Sequence, residues 1–385
     1  MTLPLEGIRV IEFSHMVMGP CCGMILGDLG AEVIKIEPPG GDRTRHLKSS
    51  GTGFFAALGR NKKSVVLDTS APADIATLLR LIDTADVVLE NFRPGALAEK
   101  GLGFDVLRGR NPRLICLSLK GFLSGPYEHR TALDEVVQMM SGLAYMTGPP
   151  GRPLRAGAPV NDMMGGMFGA IAILAALRQR EATAPGDGPG DGPGDGEGQV
   201  LAASLFENAA FLVSTAMLQQ AMTGVAPEPM PAGRRAWGVY DVFTASDDVQ
   251  IFVGVVTDRQ WEIFTGVLAD AALANAAFAS NNLRSAARPS LIPLVQSILG
   301  RMPVAAIEAL CERAGLPFAR INKPWDLFDD PHLKASGGLL PITLPDGRPA
   351  LVPALPIQFG ESRLGVRLDL PTPGQHNDEI LGRLR

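Results

Sequence analysis

His15 comes two residues after IRVIEF, a run rich in β-branched residues at positions 8–13 that predicts a strand, and it precedes a Gly-Pro pair at 19–20. In an open α/β sheet, ligands bind at the carboxyl ends of the strands. A histidine at the end of the first strand can therefore contact a ligand, and it can equally be satisfied by its own surroundings. The residues alone leave both interpretations open.

A second residue suited to chemistry is Asp162, which begins an almost uncharged segment after a Gly/Pro-rich loop at 148–157. Its simplest role is that of an N-cap, in which the side chain accepts a backbone N–H. Its functional role would be that of a carboxylate facing a pocket. The positive end of the helix dipole would then keep Asp162 ionised at neutral pH, as a nucleophile requires.

The third group is a set of basic residues that starts after the second predicted strand and ends at the third. Cations near strand ends suit a phosphorylated ligand such as a nucleotide or coenzyme A. A solvated, charged loop is the default alternative. The set consists of Arg43, Arg45, His46, Lys48, Arg60, Lys62 and Lys63.

The sequence lacks most familiar catalytic signatures. It has no GxxxxGKS/T phosphate loop, no HExxH and no GxSxG. The segment GTGFFA at 51–56 lacks the third glycine of a dinucleotide fingerprint and follows no predicted strand, which argues against a nicotinamide dehydrogenase. The five histidines show no ligand-like pairing, so we expect no metal.

Composition limits the partners and the compartment. Lys+Arg number 35 against 40 Asp+Glu, and this net charge of −5 argues against a nucleic-acid partner. The four cysteines show no CxxC spacing, which is typical of reduced thiols in the cytosol. The longest uninterrupted apolar stretch, 163–177, is too short to span a bilayer. We therefore expect a cytoplasmic protein without a membrane partner.

Strand and helix patterns alternate through the first half of the chain, which predicts an α/β fold with a parallel, doubly wound sheet. The predicted strands span 8–13, 32–37, 64–68, 86–90 and 113–119, with helices at 21–29 and 71–84. Further helices are predicted at 133–147, 162–180 and 204–222. A tandem PGDG repeat at 185–196 predicts a surface loop because it has no apolar area to bury.

The length of 385 residues suggests two or three domains. A strand pair at 239–243 and 249–255 begins a second unit, and the tail contains a hairpin at 341–353 and a short helix within 374–384. We predict a first domain at 1–205, a small domain at 225–325 and a C-terminal segment, 326–385, that returns to the first domain.

Several blocks of the sequence, taken in order, resemble family III CoA-transferases, the CaiB/BaiF family that includes formyl-CoA transferase. The resemblance covers nearly the whole chain and is weakest over 260–335. The blocks are 3–45, 59–68 (GRNKKSVVLD), 85–103, 111–122 (NPRLICLSLKGF), 133–148, 162–177 and 370–381 (LPTPGQHNDEIL).

The resemblance implies a Rossmann-like large domain with a parallel sheet, a smaller α+β domain and an interlocked homodimer. It also implies that Asp162 is the catalytic residue, whose carboxylate attacks an acyl-CoA thioester before CoA passes to a small carboxylic acid. Positions that match the family's CoA-contacting segments are His15, Met16, Arg43, Arg45, Asn61, Lys62, Asn91, Phe92, Arg93 and Gly95. Asp134 is assigned to the same site, where orienting the acceptor or a loop and a purely structural role are equally open.

The predicted acceptor is a short dicarboxylate of the succinate, mesaconate or itaconate type, because the expected pocket is apolar with cations nearby. Its residues are Met16, Val17, Met18, Tyr145, Met146, Arg152 and Arg155. Two alternatives stay open. An α-methylacyl-CoA racemase would need a histidine where this sequence has Leu133. A non-catalytic acyl-CoA-binding protein would bind CoA without turnover.

Overall fold

The computed structural model describes residues 2–182, 196–232 and 236–384 and divides into two compact units. The larger unit comprises the described parts of Met1–Tyr145, Leu154–Gly224 and Pro331–Arg385. The smaller unit comprises Met146–Pro153 and the described parts of Val225–Asp330. The sequence did not indicate that 146–153 belongs to the smaller unit. Residues 185–195 of the PGDG repeat lie outside the described residues.

The strands and helices are numbered along the chain. The strands are β1 (Arg9–Phe13), β2 (Glu32–Glu37), β3 (Lys62–Val66), β4 (Val87–Glu90), β5 (Ile115–Lys120), β6 (Val200–Ser204), β7 (Val239–Thr244), β8 (Gln250–Val255), β9 (Phe318–Arg320), β10 (Leu339–Thr343), β11 (Pro349–Pro353), β12 (Gln358–Phe359) and β13 (Ser362–Arg363). The helices are α1 (Met18–Asp28), α2 (Phe54–Leu58), α3 (Pro72–Ile82), α4 (Phe104–Arg110), α5 (Asp134–Met140), α6 (Leu143–Thr147), α7 (Val160–Ala182), α8 (Leu205–Leu212), α9 (Ser214–Thr223), α10 (Asp258–Leu268), α11 (Asn281–Ala286), α12 (Arg288–Leu299), α13 (Val304–Ala314), α14 (Pro331–Ala335) and α15 (Asn377–Gly382).

The larger unit is built on a six-stranded parallel sheet with the order β3-β2-β1-β4-β5-β6. The predicted α/β class and the five predicted strands are confirmed. The sixth strand, β6, was missed because its sequence VLAAS contains two alanines, which have little strand preference. The strand order reverses between β1 and β4, and ligands of such sheets bind where the order reverses.

Two predicted helices are each broken in the structure. The pattern at 133–147 forms α5 and α6, separated at Gly142, whose φ of 85° is a left-handed conformation that ends a helix. The pattern at 204–222 forms α8 and α9, with Val213 between them. Amphipathic periodicity predicted the helical segments but not the break within each.

Helix α7 lies against α1, β5 and β6 and is longer than the predicted 162–180. Its 23 residues are long and apolar enough to cross a membrane by length and composition alone, a test that core helices of soluble proteins also pass. Glycines let α1 approach closely: a Cβ on Gly166 would lie 2.7 Å from the Cβ of Cys21 and from the carbonyl oxygen of Met18. This contact joins the start of α1 to the start of α7.

The smaller unit has an antiparallel sheet of order β7-β8-β9, packed against a core that α10, α12 and α13 contribute. The pairing of β7 with β8 confirms the predicted strand pair. The third strand, β9, has only three residues and was missed. A capping box formed by Thr257 and Gln260 begins α10, so the unpaired N–H groups of its first turn are satisfied locally.

The C-terminal segment closes the edge of the large sheet. The predicted hairpin is confirmed as β10 and β11, which pair antiparallel. Beyond it, the His376 N–H donates to the carbonyl of Ser64 (3.0 Å), and the Asn377 side chain accepts the N–H of Val66 (2.9 Å). These bonds satisfy backbone groups of β3, which is the edge strand of the sheet.

The close α1–α7 contact predicts that Gly166→Ala destabilises the protein by about 1–3 kcal/mol, because the new methyl overlaps backbone and cannot be relieved by a side-chain rotation. The free energy of unfolding in urea measures this. The matched control is Gly109→Ala in α4, where no atom lies within 4 Å of the added Cβ. The control should leave stability unchanged or raise it by about 0.4–1 kcal/mol. Equal effects of the two substitutions would contradict the packing argument.

Candidate active site

Asp162 lies in the first turn of α7, which begins at Val160, so it is not the N-cap that the sequence predicted. The capping carboxylate comes from α5. One oxygen of Asp134 accepts the backbone N–H of Asn161 (2.8 Å) and that of Asp162 (3.1 Å). The side chain of Asp162 is therefore released from capping and remains available for other chemistry.

Asp134 is itself held by Gln138, one turn further along α5. The Gln138 amide N–H donates to Asp134, and its carbonyl oxygen accepts the backbone N–H of Ala156 (2.8 Å). Gln138 is fully buried and Asp134 is 4% exposed. A single chain of hydrogen bonds thus connects the loop before α7 to the start of α7.

The pKa of Asp162 is raised from 3.8 to about 7, first by burial and then by the negative charges of Asp134 and Glu135. The sequence predicted that the helix dipole would keep Asp162 ionised at neutral pH, and the raised pKa contradicts this prediction. Burial and two neighbouring carboxylates outweigh the dipole, which is also partly neutralised by the capping charge of Asp134. A pKa of about 7 leaves a substantial protonated fraction of Asp162 at neutral pH.

Cys21 is the other nucleophilic group near the start of α7, and its surroundings make it unreactive. Its thiol lies 3.7 Å from the carbonyl oxygen of Met163. Burial raises the pKa of Cys21 to about 11, so the thiolate is scarce at neutral pH. Among the residues that the structure describes, no group of three or more His, Cys, Asp or Glu side chains is placed to hold a metal ion.

The loop after β1 lies where the sheet order reverses, and Asn91, which follows β4, holds it. The Asn91 side chain accepts the His15 N–H (3.0 Å) and donates to the His15 carbonyl (2.9 Å). The His15 ring stacks on Phe92, with ring centroids 5.3 Å apart. Burial lowers the pKa of His15, and Asp42 opposes this while Lys35 and Arg43 reinforce it. A largely neutral, stacked imidazole at this place can contact a ligand.

A buried network of ion pairs and hydrogen bonds supports the same loop. The sequence analysis did not find this network. Lys35 donates to the carbonyl of Ser14 (2.6 Å) and pairs with Asp42 (2.9 Å). Asp42 accepts the N–H of Thr44 (2.8 Å), and the Thr44 hydroxyl accepts the N–H of Met16 (2.9 Å). Met16 has a φ of 63°, so its unusual backbone conformation depends on this support. The sequence feature that could have indicated this network is Lys35, a lysine at a position of β2 whose neighbours are apolar.

Three of the residues that match the family's CoA-contacting segments instead bind other parts of this protein. Arg45 pairs with Glu37 (2.6 Å) and lies over the ring of Phe55. Lys62 pairs with Glu12 (2.7 Å) and is 1% exposed. Asn61, also 1% exposed, binds the C-terminal segment, for example by accepting the N–H of Leu368 (3.0 Å). Their burial argues against a direct contact with CoA.

The remaining matched residues are accessible. Arg43 is exposed and forms no ion pair with any residue that the structure describes. Arg93, in the turn after β4, is exposed and pairs with Glu99. Gly95, in the same turn, has a φ of 83°, a conformation that favours glycine. The structure therefore brings His15, Met16, Asn91 and Phe92 together and places Arg43 and the turn of Arg93 at the surface.

A family model for CoA-transferase family III matches residues 5–377. The chain belongs to this family. It is 31% identical over 99% of its length to the succinate–glutarate CoA-transferase of Agrobacterium fabrum, covering 96% of that protein. It is 30% identical over 98% of its length to the succinyl-CoA–D-citramalate CoA-transferase of Chloroflexus aurantiacus, covering 93% of that protein.

The fold agrees with this assignment. A CaiB/BaiF family protein from Brucella suis, known from its crystal structure, superposes with a TM-score of 0.86 at 30% identity and with full coverage of both chains. The sequence-based prediction of a CoA-transferase is confirmed. In this family III CoA-transferase, Leu133 occupies the position at which the racemase alternative requires a histidine, and its side chain is exposed.

The raised pKa of Asp162 predicts a pH-dependent effect on stability. The folded protein holds this proton more tightly than the unfolded chain does, so stability falls as the pH rises from about 4 through 7. Asp162→Asn removes the ionising group. Its melting temperature should exceed that of the wild type by a few degrees at about pH 8.5 and by much less at about pH 4. Differential scanning calorimetry at both pH values measures this, and an equal difference at the two would contradict the assignment.

Proposed function

We propose that this CoA-transferase moves CoA from an acyl-CoA thioester to a short dicarboxylic acid, with Asp162 as the covalent nucleophile. The observation that carries the proposal is the environment of Asp162. Its backbone is fixed by Asp134, its carboxylate carries no capping bond, and its pKa is close to 7. The neighbouring thiol is protonated, which leaves the carboxylate as the available nucleophile.

The proposed reaction has four steps, each of which conserves charge. The Asp162 carboxylate attacks the thioester carbonyl, which forms a mixed anhydride and expels the CoA thiolate. The thiolate attacks the aspartyl carbonyl, which releases the donor acid and leaves an aspartyl-CoA thioester. The acceptor carboxylate attacks this thioester to form a second anhydride and free the thiolate again. The thiolate then attacks the acceptor carbonyl, and Asp162 leaves as a carboxylate.

The charges around Asp162 favour this covalent route. Burial and the carboxylates of Asp134 and Glu135 disfavour a negative charge on Asp162. Forming the anhydride or the thioester removes that charge, so each intermediate is relieved of a repulsion that the free enzyme carries. A carboxylate of higher pKa is also a stronger nucleophile than an ordinary one. The raised pKa therefore helps acylation once Asp162 is ionised.

We assign the coenzyme to the loop after β1 and its surroundings. His15 and Met16 lie at the point where the strand order reverses, and Phe92 provides an aromatic face beside them. Arg43 is an exposed cation of this region and is suited to a CoA phosphate. The start of α1, three residues after His15, packs against the start of α7, which connects this loop to Asp162.

Two relatives support a dicarboxylate as the acceptor. One is named for succinate and glutarate, and the other for succinyl-CoA and D-citramalate. All of these acids carry two carboxyl groups.

The interlocked homodimer and the cytoplasmic location implied by the sequence remain predictions.

A panel of acyl-CoA donors and acids, read by mass spectrometry of the CoA esters, tests the function. We expect transfer between dicarboxylates, and hydroxylamine added during turnover should convert the side chain of Asp162 into a hydroxamate. Asp162→Asn should lower transfer by about 10³-fold or more. The control is Asp83→Asn, an exposed carboxylate after α3 that pairs with Arg110. Normal transfer by Asp162→Asn would refute the mechanism, and deuterium wash-in at the α-carbon without acceptor would support a racemase.

The support of the coenzyme loop gives a second prediction. Thr44→Val keeps the shape of the side chain but removes the acceptor for the Met16 N–H. Losing one such bond, about 1 kcal/mol, should raise the KM for acyl-CoA by about fivefold and leave kcat within twofold. The control is Thr77→Val, whose hydroxyl bonds only within α3. Steady-state kinetics measure this, and a lower kcat with unchanged KM would contradict the assignment of the loop.

A further inference from the structure

An ion pair of accessible side chains lies beside the nucleophile. Arg155 Nη1 is 3.3 Å from Glu135 Oε1, and the two side chains are 45% and 51% exposed. Glu135 is close enough to Asp162 for its charge to raise the pKa of that carboxyl. The guanidinium of Arg155 therefore lies beside a residue whose charge reaches Asp162, and it remains open to a ligand.

The backbone of Arg155 is fixed relative to Asp162. The next residue, Ala156, donates its N–H to Gln138 (2.8 Å), and Gln138 donates to Asp134. Asp134 in turn accepts the N–H of Asp162 (3.1 Å). Three hydrogen bonds thus connect the backbone beside Arg155 to the backbone of Asp162, so ordered structure fixes the point from which the Arg155 side chain extends.

A dicarboxylate acceptor meets an electrostatic obstacle at this site. When Asp162 is held as the uncharged thioester, Asp134 and Glu135 still contribute two negative charges, and the acceptor brings two more. Its reacting carboxylate must approach the aspartyl carbonyl, so its other carboxylate needs a cation a few carbon atoms away. Of the basic residues matched to CoA contacts, Arg45 and Lys62 are paired with buried carboxylates, and Arg43 is assigned above to a CoA phosphate.

We propose that Arg155 binds the second carboxylate of the acceptor and that Glu135 is its partner only while the acceptor is absent. This inference rests on the proposed function and specifies its substrate class. A single exposed contact of 3.3 Å stabilises little, so exchanging Glu135 for the acceptor costs little. The planar guanidinium can then form two parallel bonds to the incoming carboxylate. Selection for two carboxylates, and for the number of carbons between them, follows from the fixed position of Arg155.

The test compares acceptors of matched chain length, with succinate and glutarate against butyrate and valerate, for the wild type and Arg155→Gln. It is run at about pH 8.5, where Asp162 is largely ionised in every variant. Arg155→Gln should raise the KM for the dicarboxylates by tenfold or more, with kcat within threefold. The KM for acyl-CoA and the kcat/KM for the monocarboxylates should stay unchanged. Arg155→Lys should restore part of the affinity.

A second variant works in the opposite direction. Glu135→Gln frees Arg155 and removes one repelling charge, so the preference for dicarboxylates over monocarboxylates should increase. The control is Arg348→Gln, an exposed arginine paired with Asp346 in the turn between β10 and β11. If Arg155→Gln lowered kcat/KM equally for both acceptor classes, or changed only the KM for acyl-CoA, the role proposed for Arg155 would be wrong. The proposed function would still stand. A wild-type enzyme that transfers CoA to no acid would overturn the proposed function itself.

Discussion

The carboxylate of Asp134 is the group on which both the shape and the charge of the site depend. By accepting two backbone N–H groups, it fixes where α7 begins and therefore where Asp162 lies. Because Asp134 is 4% exposed, its charge is poorly screened, and it contributes to the raised pKa of Asp162. A neutral cap would hold the helix equally well, but it would lack this electrostatic effect. The position of Asp162 and part of the rise in its pKa are thus two results of one contact.

The sheet was largely predictable because its strands are apolar runs bounded by helical segments. The strands from Arg9–Phe13 to Ile115–Lys120 were found on this basis. Two of the strands that were missed show the limit of the method. Val200–Ser204 is an edge strand of small residues, and Phe318–Arg320 is too short to show a period. Both form because a neighbouring strand offers unpaired backbone groups, which is a tertiary effect that local pattern does not contain.

The sequence singled out the residues of the candidate site, but it did not indicate the ionisation and pairing states in which the structure holds them. Asp162 was singled out by its place before an uncharged helix, but its pKa depends on Asp134 and Glu135, which are 27 or more positions away in the sequence. The basic residues show the same difficulty. Lys62 and Arg45 match the family's positions, and only their three-dimensional surroundings reveal that Glu12 and Glu37 neutralise them. Spacing in the sequence identifies which side chain belongs to a site, whereas its burial and its neighbours determine its ionisation state and reactivity.

The closure of the large sheet by the end of the chain has a consequence for biosynthesis. His376 and Asn377 satisfy backbone groups of Ser64 and Val66, over 300 positions earlier. During translation the first strands leave the ribosome long before these closing residues exist, and the whole smaller unit is made in between. Until release, β3 presents unpaired groups to other nascent chains, which is the condition under which strands from different polypeptides join. Premature termination before codon 376 would leave that edge open permanently.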